Sequence, residues 1–283
     1  MRRTVATESR ALPVQGLPAV LVAMPIEFGV LRRLAAQPPV RIGRVPPAWE
    51  LTIAGMDLHA VVSGQGPRNA GQAAAWAVEA LAPSVLLVAG VAGGAQPGQR
   101  AGDLVVIDRT ARVGGAPPAL GPSVTGDPAL AQRLRATLRS AGIPAAVGLS
   151  ACASAVADPD LKRRVGALGA VAVDMETEAG FSVAAAARLR VTGLRAILDP
   201  AAQAVPRSLL RLGSLQGGSR HSAAMAVWRL PYELPAILRF VFHLRAALVS
   251  LRVGLQAGLP ALAGPAQYEI AEGAGDERSA EDA

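Results

Sequence analysis

Short runs of small and branched apolar residues recur along this chain, and helix-like segments separate them. The runs include AVLVAMP at 19–25, SVLLVAGVAGG at 84–94, DLVVIDRTARV at 103–113, AAVGLSACASAV at 145–156, AVAVDME at 170–176 and VTGLRAILDP at 191–200. Between them lie RNAGQAAAWAVEALAP, PALAQRLRATLRSAGI with leucines at helical spacing, PDLKRRVGALG and TEAGFSVAAAARLR. Uninterrupted apolar runs of this length suit strands covered on both faces. Their alternation with helices predicts an α/β protein: a three-layer α/β/α sandwich around a central mixed, largely parallel sheet. The segment 51–66 reads as two strands around a turn at Gly55–Asp57, which adds a hairpin to that sheet.

The chain has 283 residues, of which 51% are hydrophobic and 3% aromatic. Its core is therefore built from Ala, Val and Leu, and is large enough for one sizeable domain. We expect an N-terminal extension over 1–18, a domain over 19–257 and a disordered, acidic, Pro/Gly-rich tail over 258–283. The stretch 200–231 reads as a long loop with short helical pieces. Residues 232–256 read as a final helix interrupted near Pro235. No eighteen apolar residues run uninterrupted, so no spanning helix is expected, and the N-terminus lacks the apolar stretch of a secretory signal. The single cysteine, Cys152, excludes an internal disulfide and a cysteine metal pair, and reads as a small buried residue. No metal and no organic cofactor is expected.

The net charge is +7, and Lys162 is the only lysine, so arginine supplies nearly all the positive charge. Two readings stand: a base composition that encodes arginine often, or attraction to an anionic surface. Nucleic acid is disfavoured as a partner, because aromatics for stacking are scarce and no dense basic run occurs.

The stretch AVAVDMETEAGFSVAAAA at 170–187 places three carboxylates, Asp174, Glu176 and Glu178, where a buried strand turns into a buried helix. In open α/β sheets, ligands bind beyond the carboxyl ends of strands. Glu27, Ser63, Gly64, Gly66, Gly90, Gly93, Gly94, Glu176 and Asp199 all fall at such ends. If those strands end together, the acids share one cleft. Asp174 and Glu178 are also suited to capping the following helix, where the dipole favours negative charge. Taken singly, the glycine turns GQGPRNAG and GVAGG speak for tight strand-to-helix packing before ligand contact, since their spacing matches neither the dinucleotide fingerprint nor a P-loop.

Five segments occur in a telling order: AVLVAMPIEFGVLRRL, SGQGPRNAGQAAAWAVEAL, LLVAGVAGGAQPGQRAGDLVVID, VDMETEAG and LRAILDPA. Together they resemble the nucleoside phosphorylase/nucleosidase superfamily, over about residues 19–200. Within it, GPRNA, LDPAAQAVP and the Arg-Leu-Pro-rich final segment are most similar to the hopanoid-associated branch, which removes adenine from adenosylhopane. The resemblance implies a purine nucleoside substrate, whose cleavage has three chemical needs. The leaving base needs a proton, the ribose must be held while it becomes cation-like, and a nucleophile must reach the anomeric carbon.

By that resemblance Asp199 is the proton donor to the purine, which requires a pKa raised by desolvation. Glu176 accepts hydrogen bonds from the ribose hydroxyls and stabilises the developing cation. Met175 packs against the sugar, Glu27 activates water and Arg195 orients the nucleophile or an acid. The main chain near Val156 and Ala157 faces the base, with Gly64 and Gly90 as further substrate contacts. Two departures stand out: Val91 replaces a frequent hydroxyl residue, and Leu198 replaces a frequent Ser or Thr. The phosphorylase loop Gly-Asp-Pro-x-Arg is missing, and Val88 stands where an arginine would hold phosphate. Arg68 is the candidate substitute cation. Water is therefore the expected nucleophile. A soluble nucleoside such as futalosine or methylthioadenosine, or a catalytically silent nucleoside-binding or membrane-scaffold protein, remain as alternatives. The resemblance further implies a homo-oligomer. A lipid-linked substrate implies a cytoplasmic protein with peripheral contact at the inner face of an anionic membrane. Trp228, Tyr232, Phe240 and Phe242, close to Arg229, Arg239, Arg245 and Arg252, are the segment for that contact.

Overall fold

The computed structural model describes residues 16–206, Leu209 and 220–263, with side chains of 220–232 outside the description. The expected N-terminal extension thus lies outside the described residues up to position 15. So do the tail from 264, the side chains of Trp228, Arg229 and Tyr232, and, apart from Leu209, the stretch 207–219.

The elements run β1 (Ala19–Val22), α1 (Pro25–Leu34), β2 (Val40–Arg44), β3 (Pro47–Ile53), β4 (Met56–Val62), α2 (Pro67–Leu81), β5 (Leu86–Gly94) and β6 (Leu104–Gly114). Then follow β7 (Ala119–Thr125), α3 (Pro128–Ser140), β8 (Ala145–Cys152), α4 (Pro159–Ala167), β9 (Ala170–Asp174), α5 (Thr177–Ala186), β10 (Val191–Asp199) and α6 (Arg220–Gly258). A 3-10 turn, Leu259–Ala263, closes the described chain.

All ten strands form one mixed sheet, in an α/β fold. Its centre is parallel: β5 lies between β1 and β10 and runs with both. β4 runs parallel beside β1, and antiparallel pairing adds β3 and β2 at that edge and β7 beside β6. The sheet also curls. β10 pairs β6, β6 pairs β8, β8 pairs β9, and β9 returns to pair Gly93 and Gly94 of β5. Five strands therefore form a closed ring, with β5 as the strand where the ring meets the open part of the sheet.

The strand sequences explain the layers. Every second residue of β1 and β5 faces one side, so Val20, Val22, Leu87 and Ala89 join one core with Val30, Leu31, Leu134, Leu138, Leu251 and Leu255 of α1, α3 and α6. Their neighbours Ala19, Leu21, Leu86 and Val88 join the other, with Ala73, Ala74 and Ala77 of α2 and Phe181 and Ala184 of α5. Small helix residues let the backbones approach closely. A Cβ on Gly180 of α5 would lie 2.9 Å from Val88.

Five features depart from expectation. β2 and β7 are additional strands with almost wholly exposed side chains, so no burial period marks them. The GVAGG segment is not a turn: it remains β5 to Gly94, as its pairing with β9 requires. The final helix is not interrupted near Pro235, since α6 runs through it. A proline ring removes one backbone hydrogen bond, but Ala-, Leu- and Arg-rich sequence continues the helix, and Ala247, Leu251 and Leu255 anchor it in the core. Packing also continues beyond 257. Leu259, Ala261 and Leu262 are buried, and Arg133 Nε donates to the Ala261 carbonyl at 2.7 Å. Apolar LPALA continues the packing on α3. Finally, residues 233–263 include a helical segment long and apolar enough to cross a membrane by length and composition. Its second half is tied to the sheet by the buried residues just named.

Candidate active site

The β5 neighbourhood decides what meets what. In register, Arg195 of β10 stands beside Gly90 of β5, and Asp199 beside Gly93. The end of β9 meets β5 at Gly93 and Gly94, which brings in the Asp174–Glu176 turn. On the other side β1 ends next to β5, and the first turn of α1 carries Glu27. Three strand ends and one helix start thus open into one cavity of about 560 Å³. Glu27, Glu176, Asp199, Lys162, Met175 and Asp174 are all in its wall.

Glu27 is fully buried and held by backbone donors. Its Oε2 accepts from the N–H groups of Ala23 and Met24, both at 2.9 Å, and Oε1 accepts from Val91 N–H at 2.8 Å. Burial raises its pKa, and Arg195 and these amides only partly offset the effect. Gly90 is required here by close approach: a Cβ would sit 2.4 Å from Glu27 Oε1 and 2.7 Å from Arg195 Nη1.

Glu176 accepts from Gly66 N–H at 2.8 Å across the cavity mouth. That bond ties the glycine turn before α2 to the start of α5. Burial raises the Glu176 pKa, with Arg195 opposing and Asp174 and Glu27 adding to the rise. Asp174 is different in kind. Its Oδ1 accepts from the N–H groups of Glu176 and Thr177 at 2.8 Å, as a helix cap does, and Cys152 Sγ donates to it at 3.2 Å. Its Oδ2 accepts from Ser150 at 2.6 Å and lies 3.5 Å from Arg195 Nε. Burial would raise its pKa, but Arg195 and these donors outweigh burial and hold it low. Arg195 is itself 1% exposed and donates to Thr177 Oγ1 at 3.1 and 2.7 Å. It stands behind the cavity wall, where it neutralises the acids in front of it.

Asp199 lies at the end of β10, beside Lys162 of α4. The two side chains form a buried ion pair. Lys162 Nζ also donates to the carbonyl of Gln203 at 2.8 Å, and lies 3.3 and 3.4 Å from those of Pro200 and Asp199. Burial raises the Asp199 pKa, against the pull of Lys162 and of His243 on α6. Gly93 leaves room for the pair, since a Cβ there would lie 3.0 Å from Lys162 Cε.

Met175, Val156, Ala157, Val91 and Leu198 line the same cavity, whose outer part is apolar: Ile26, Val205, Leu209, Phe240 and Leu244. Gly64 and Gly90 lie behind the wall instead. Gly64 takes φ +83° and donates its N–H to Ala23 at 3.0 Å, which supports the turn before α2. Arg68 is exposed and lines a second cavity of about 370 Å³ with Arg112, Ser154 and Glu178; Ser154 also lines the first. Glu178 does not cap α5; it pairs with Arg112 and accepts from Ser182. The residue that sequence reasoning passed over is Lys162. Its signal was available: it is the only lysine in an arginine-rich chain. No cluster of three or more potential metal ligands occurs among the described residues.

Comparison with known structures returns the same fold. A 5′-methylthioadenosine/S-adenosylhomocysteine nucleosidase from Neisseria meningitidis, solved with methylthio-immucillin-A, superposes with a TM-score of 0.65 at 20% identity, covering 86% of this chain and 98% of that one. The Campylobacter jejuni enzyme of the same name gives 0.65 at 19% identity, with 86% and 98% covered. The futalosine hydrolase of Helicobacter pylori gives 0.65 at 16% identity, with 87% and 97% covered. No curated protein sequence matches the chain directly. The model of the phosphorylase superfamily matches residues 19–225, which span every strand of the sheet and every wall of the cavity except its α6 side chains, and the chain belongs to that superfamily.

Proposed function

We propose that this protein is a nucleosidase that hydrolyses the N-glycosidic bond of an adenosine-type nucleoside. The observation that carries the reading is the convergence of three buried carboxylates, Glu27, Glu176 and Asp199, on one cavity, each with its pKa raised by burial. Asp199 protonates the purine as the bond breaks. Glu176 binds the ribose hydroxyls and faces the cation-like sugar with its charge. Glu27, fixed by three amides, takes a proton from the attacking water. A carboxyl with a raised pKa suits both proton donation and proton capture near neutral pH. Asp174 and Arg195 hold this set in place from behind.

Water is the nucleophile. Phosphate is a dianion and needs free cations. The cations beside the cavity, Lys162 and Arg195, are engaged by Asp199 and by Asp174 with Thr177. Fold neighbours named as methylthioadenosine/S-adenosylhomocysteine nucleosidase and futalosine hydrolase are consistent with this choice.

The substrate carries a large apolar group on its ribose, adenosylhopane being the candidate from the sequence resemblance. The apolar outer wall supports this, as does α6: Phe240 and Leu244 line the cavity while Leu234, Leu238, Val241 and Phe242 of the same helix are exposed. A substrate rooted in a bilayer would meet the protein there. Release of the purine base should be measured with adenosylhopane, methylthioadenosine and futalosine as substrates, each with and without phosphate: adenine from the first two, hypoxanthine from the third. Release without phosphate is expected, fastest with the lipid-linked compound. Strict dependence on phosphate would replace hydrolysis by phosphorolysis, and no release from any of them would leave a nucleoside-binding protein.

A further inference from the structure

A groove of about 600 Å³ lies between α6 and the first residues of β6 and β8, and it shares no wall residue with the active-site cavity. Val249 and Val253 of α6 are in its wall, with Leu104, Ile143, Pro144 and Ala146. The two valines are one turn apart on the side of α6 away from its core residues Ala247, Leu251 and Leu255, and they are 47% and 39% exposed. Phe242, two turns before Val249, continues the same stripe. Two polar groups of the wall are already engaged. Gln99 Nε2 donates to the Val171 carbonyl and its Oε1 accepts from Gln96 N–H, both at 2.9 Å, and Asp103 Oδ2 accepts from Arg100 N–H at 2.8 Å. The surface left to an occupant is mostly apolar. The rim is cationic: Arg100 follows Gln99, Arg252 precedes Val253, and the Arg139 carbonyl accepts from Gly142 N–H at 3.0 Å just before Ile143. All three arginines are exposed, and none is in an ion pair among the described residues. Asp103 is the acid in the wall, so the balance is positive. α6 belongs to a segment, 233–263, apolar enough to cross a membrane, yet its core residues fix it on the sheet. Held there, it meets lipid along its exposed stripe.

We propose that this groove holds one acyl chain of an anionic phospholipid, with the lipid phosphate among Arg100, Arg139 and Arg252. An acyl chain needs apolar contact and no hydrogen bonds, which is what Leu104, Ile143, Pro144, Val249 and Val253 offer. A phosphate needs cations at the water boundary, where guanidinium groups bind its oxygens in pairs. Phosphate alone would leave the apolar wall in water. A second copy joined by a two-fold axis would bring the arginine rim against its own image, like charge against like. The seat is next to the strand that carries Asp199: Gly102 N–H donates to the Ile197 carbonyl at 2.7 Å, and Ile197 N–H to the Asp103 carbonyl at 2.8 Å. With no wall residue in common, a lipid seated there leaves the active-site cavity open. The seat stands whether or not the protein cleaves nucleosides.

The test is isothermal titration calorimetry of the full chain with dioctanoyl phosphatidylglycerol below its micellar concentration. One lipid per chain is expected to bind saturably, with a negative heat-capacity change from the apolar surface it buries. Dioctanoyl phosphatidylcholine should bind about fivefold or more weakly. Arg252→Gln should weaken phosphatidylglycerol by about the same factor, one cation's share of the headgroup attraction. Ala146→Trp fills the groove from an exposed strand position, and Val253→Glu puts a carboxylate in it from an exposed helix position. Each should weaken phosphatidylglycerol by about tenfold or more, the loss of about two buried methylenes, with a melting temperature near that of the wild type. Leu238→Glu with Phe242→Glu should leave this binding intact, because neither side chain is in the groove wall. That result separates the seat from a general attraction of α6 to a bilayer. No saturable binding would overturn the proposal, as would unchanged affinity in folded Ala146→Trp and Val253→Glu proteins. Inorganic phosphate that binds as tightly as the lipid would reduce the seat to an anion site and overturn it too. So would a dimer in sedimentation that Ala146→Trp breaks, which would give the groove to a second copy. Binding is read without turnover. A wild type that takes up the lipid but cleaves no nucleoside would therefore end the functional reading and leave this one standing.

Discussion

At the scale of single residues, the site separates acids that look alike in sequence. Asp174 and Glu176 are two positions apart, yet Arg195 and four hydrogen-bonded partners hold Asp174 ionised while burial pushes Glu176 up. The linkage signs follow. Asp174, with its folded pKa depressed, contributes stability that is present above its unfolded value, about 3.9, and is lost as pH falls through the folded one. Glu176 behaves oppositely: stability declines as pH rises from its unfolded value, about 4.3, through the raised folded value. Glu176→Gln removes that decline and can keep the bond from Gly66 N–H. Its melting temperature relative to wild type is therefore expected to increase from pH 4 to pH 7, while kcat/KM falls about 100-fold or more for loss of charge at the sugar. A melting difference that does not change with pH would place Glu176 outside this account. Asp199→Asn cannot donate a proton, and a kcat loss of about 100-fold to 10,000-fold with unchanged far-UV circular dichroism is expected. Near-normal turnover would remove Asp199 as the acid. The acids themselves were legible, because carboxylates at the ends of apolar strands are conspicuous. Lys162 stood out in the sequence as the only lysine, but its partner did not, since a side chain 37 positions from Asp199 meets it only once α4 packs on β9.

At the scale of elements, β5 does the positioning. Its first half is an ordinary buried strand, and its second half, GVAGG, gives up side chains so that others can stand beside it. Gly90 admits Glu27 and Arg195, and Gly93 admits Lys162. Gly90→Ala must push a carboxylate and a guanidinium apart from contacts under 3 Å. It is expected to lower kcat by about tenfold or more and to destabilise the fold by about 1–3 kcal/mol. Thermal melts and adenine release check both, and a neutral Gly90→Ala would mean that the glycine is not needed for close approach. The alternation of apolar runs made the parallel centre readable from sequence. β2 and β7 escaped because exposed edge strands carry no buried face, and the unbroken α6 escaped because local proline preference weighs less than the core contacts of Ala247, Leu251 and Leu255. On α6, Phe240→Ala should raise KM for an adenosyl compound with a bulky apolar substituent by about tenfold or more, since a Phe side chain buries about 1.5–3 kcal/mol of apolar surface. Methylthioadenosine, which carries only a methylthio group on its ribose, should change little. Equal effects on both substrates would assign Phe240 to packing alone.

At the scale of the whole molecule, charge and apolar surface coincide on α6. The chain carries +7, and Arg239, Arg245 and Arg252 are exposed on the helix that also exposes Leu234, Leu238, Val241, Val249, Val253 and, at 68%, Phe242. Ile26, 47% exposed at the start of α1, lines the cavity that Phe240 and Leu244 complete. An apolar face ringed by arginine suits a bilayer with anionic headgroups, which attracts each such cation by about 1 kcal/mol and takes up the apolar side chains at its boundary. The second half of the helix is held in the core by Ala247, Leu251 and Leu255. The expected outcome is flotation of the full chain with vesicles containing an anionic phospholipid at low salt, weaker with zwitterionic vesicles and reduced by added salt as the headgroup attraction is screened. Leu238→Glu with Phe242→Glu should abolish flotation while leaving release of adenine from methylthioadenosine intact, because neither side chain lines the cavity. Failure of the wild type to float with anionic vesicles would leave the exposed face for a second copy of this chain. Sedimentation would then show a dimer that the same double substitution breaks.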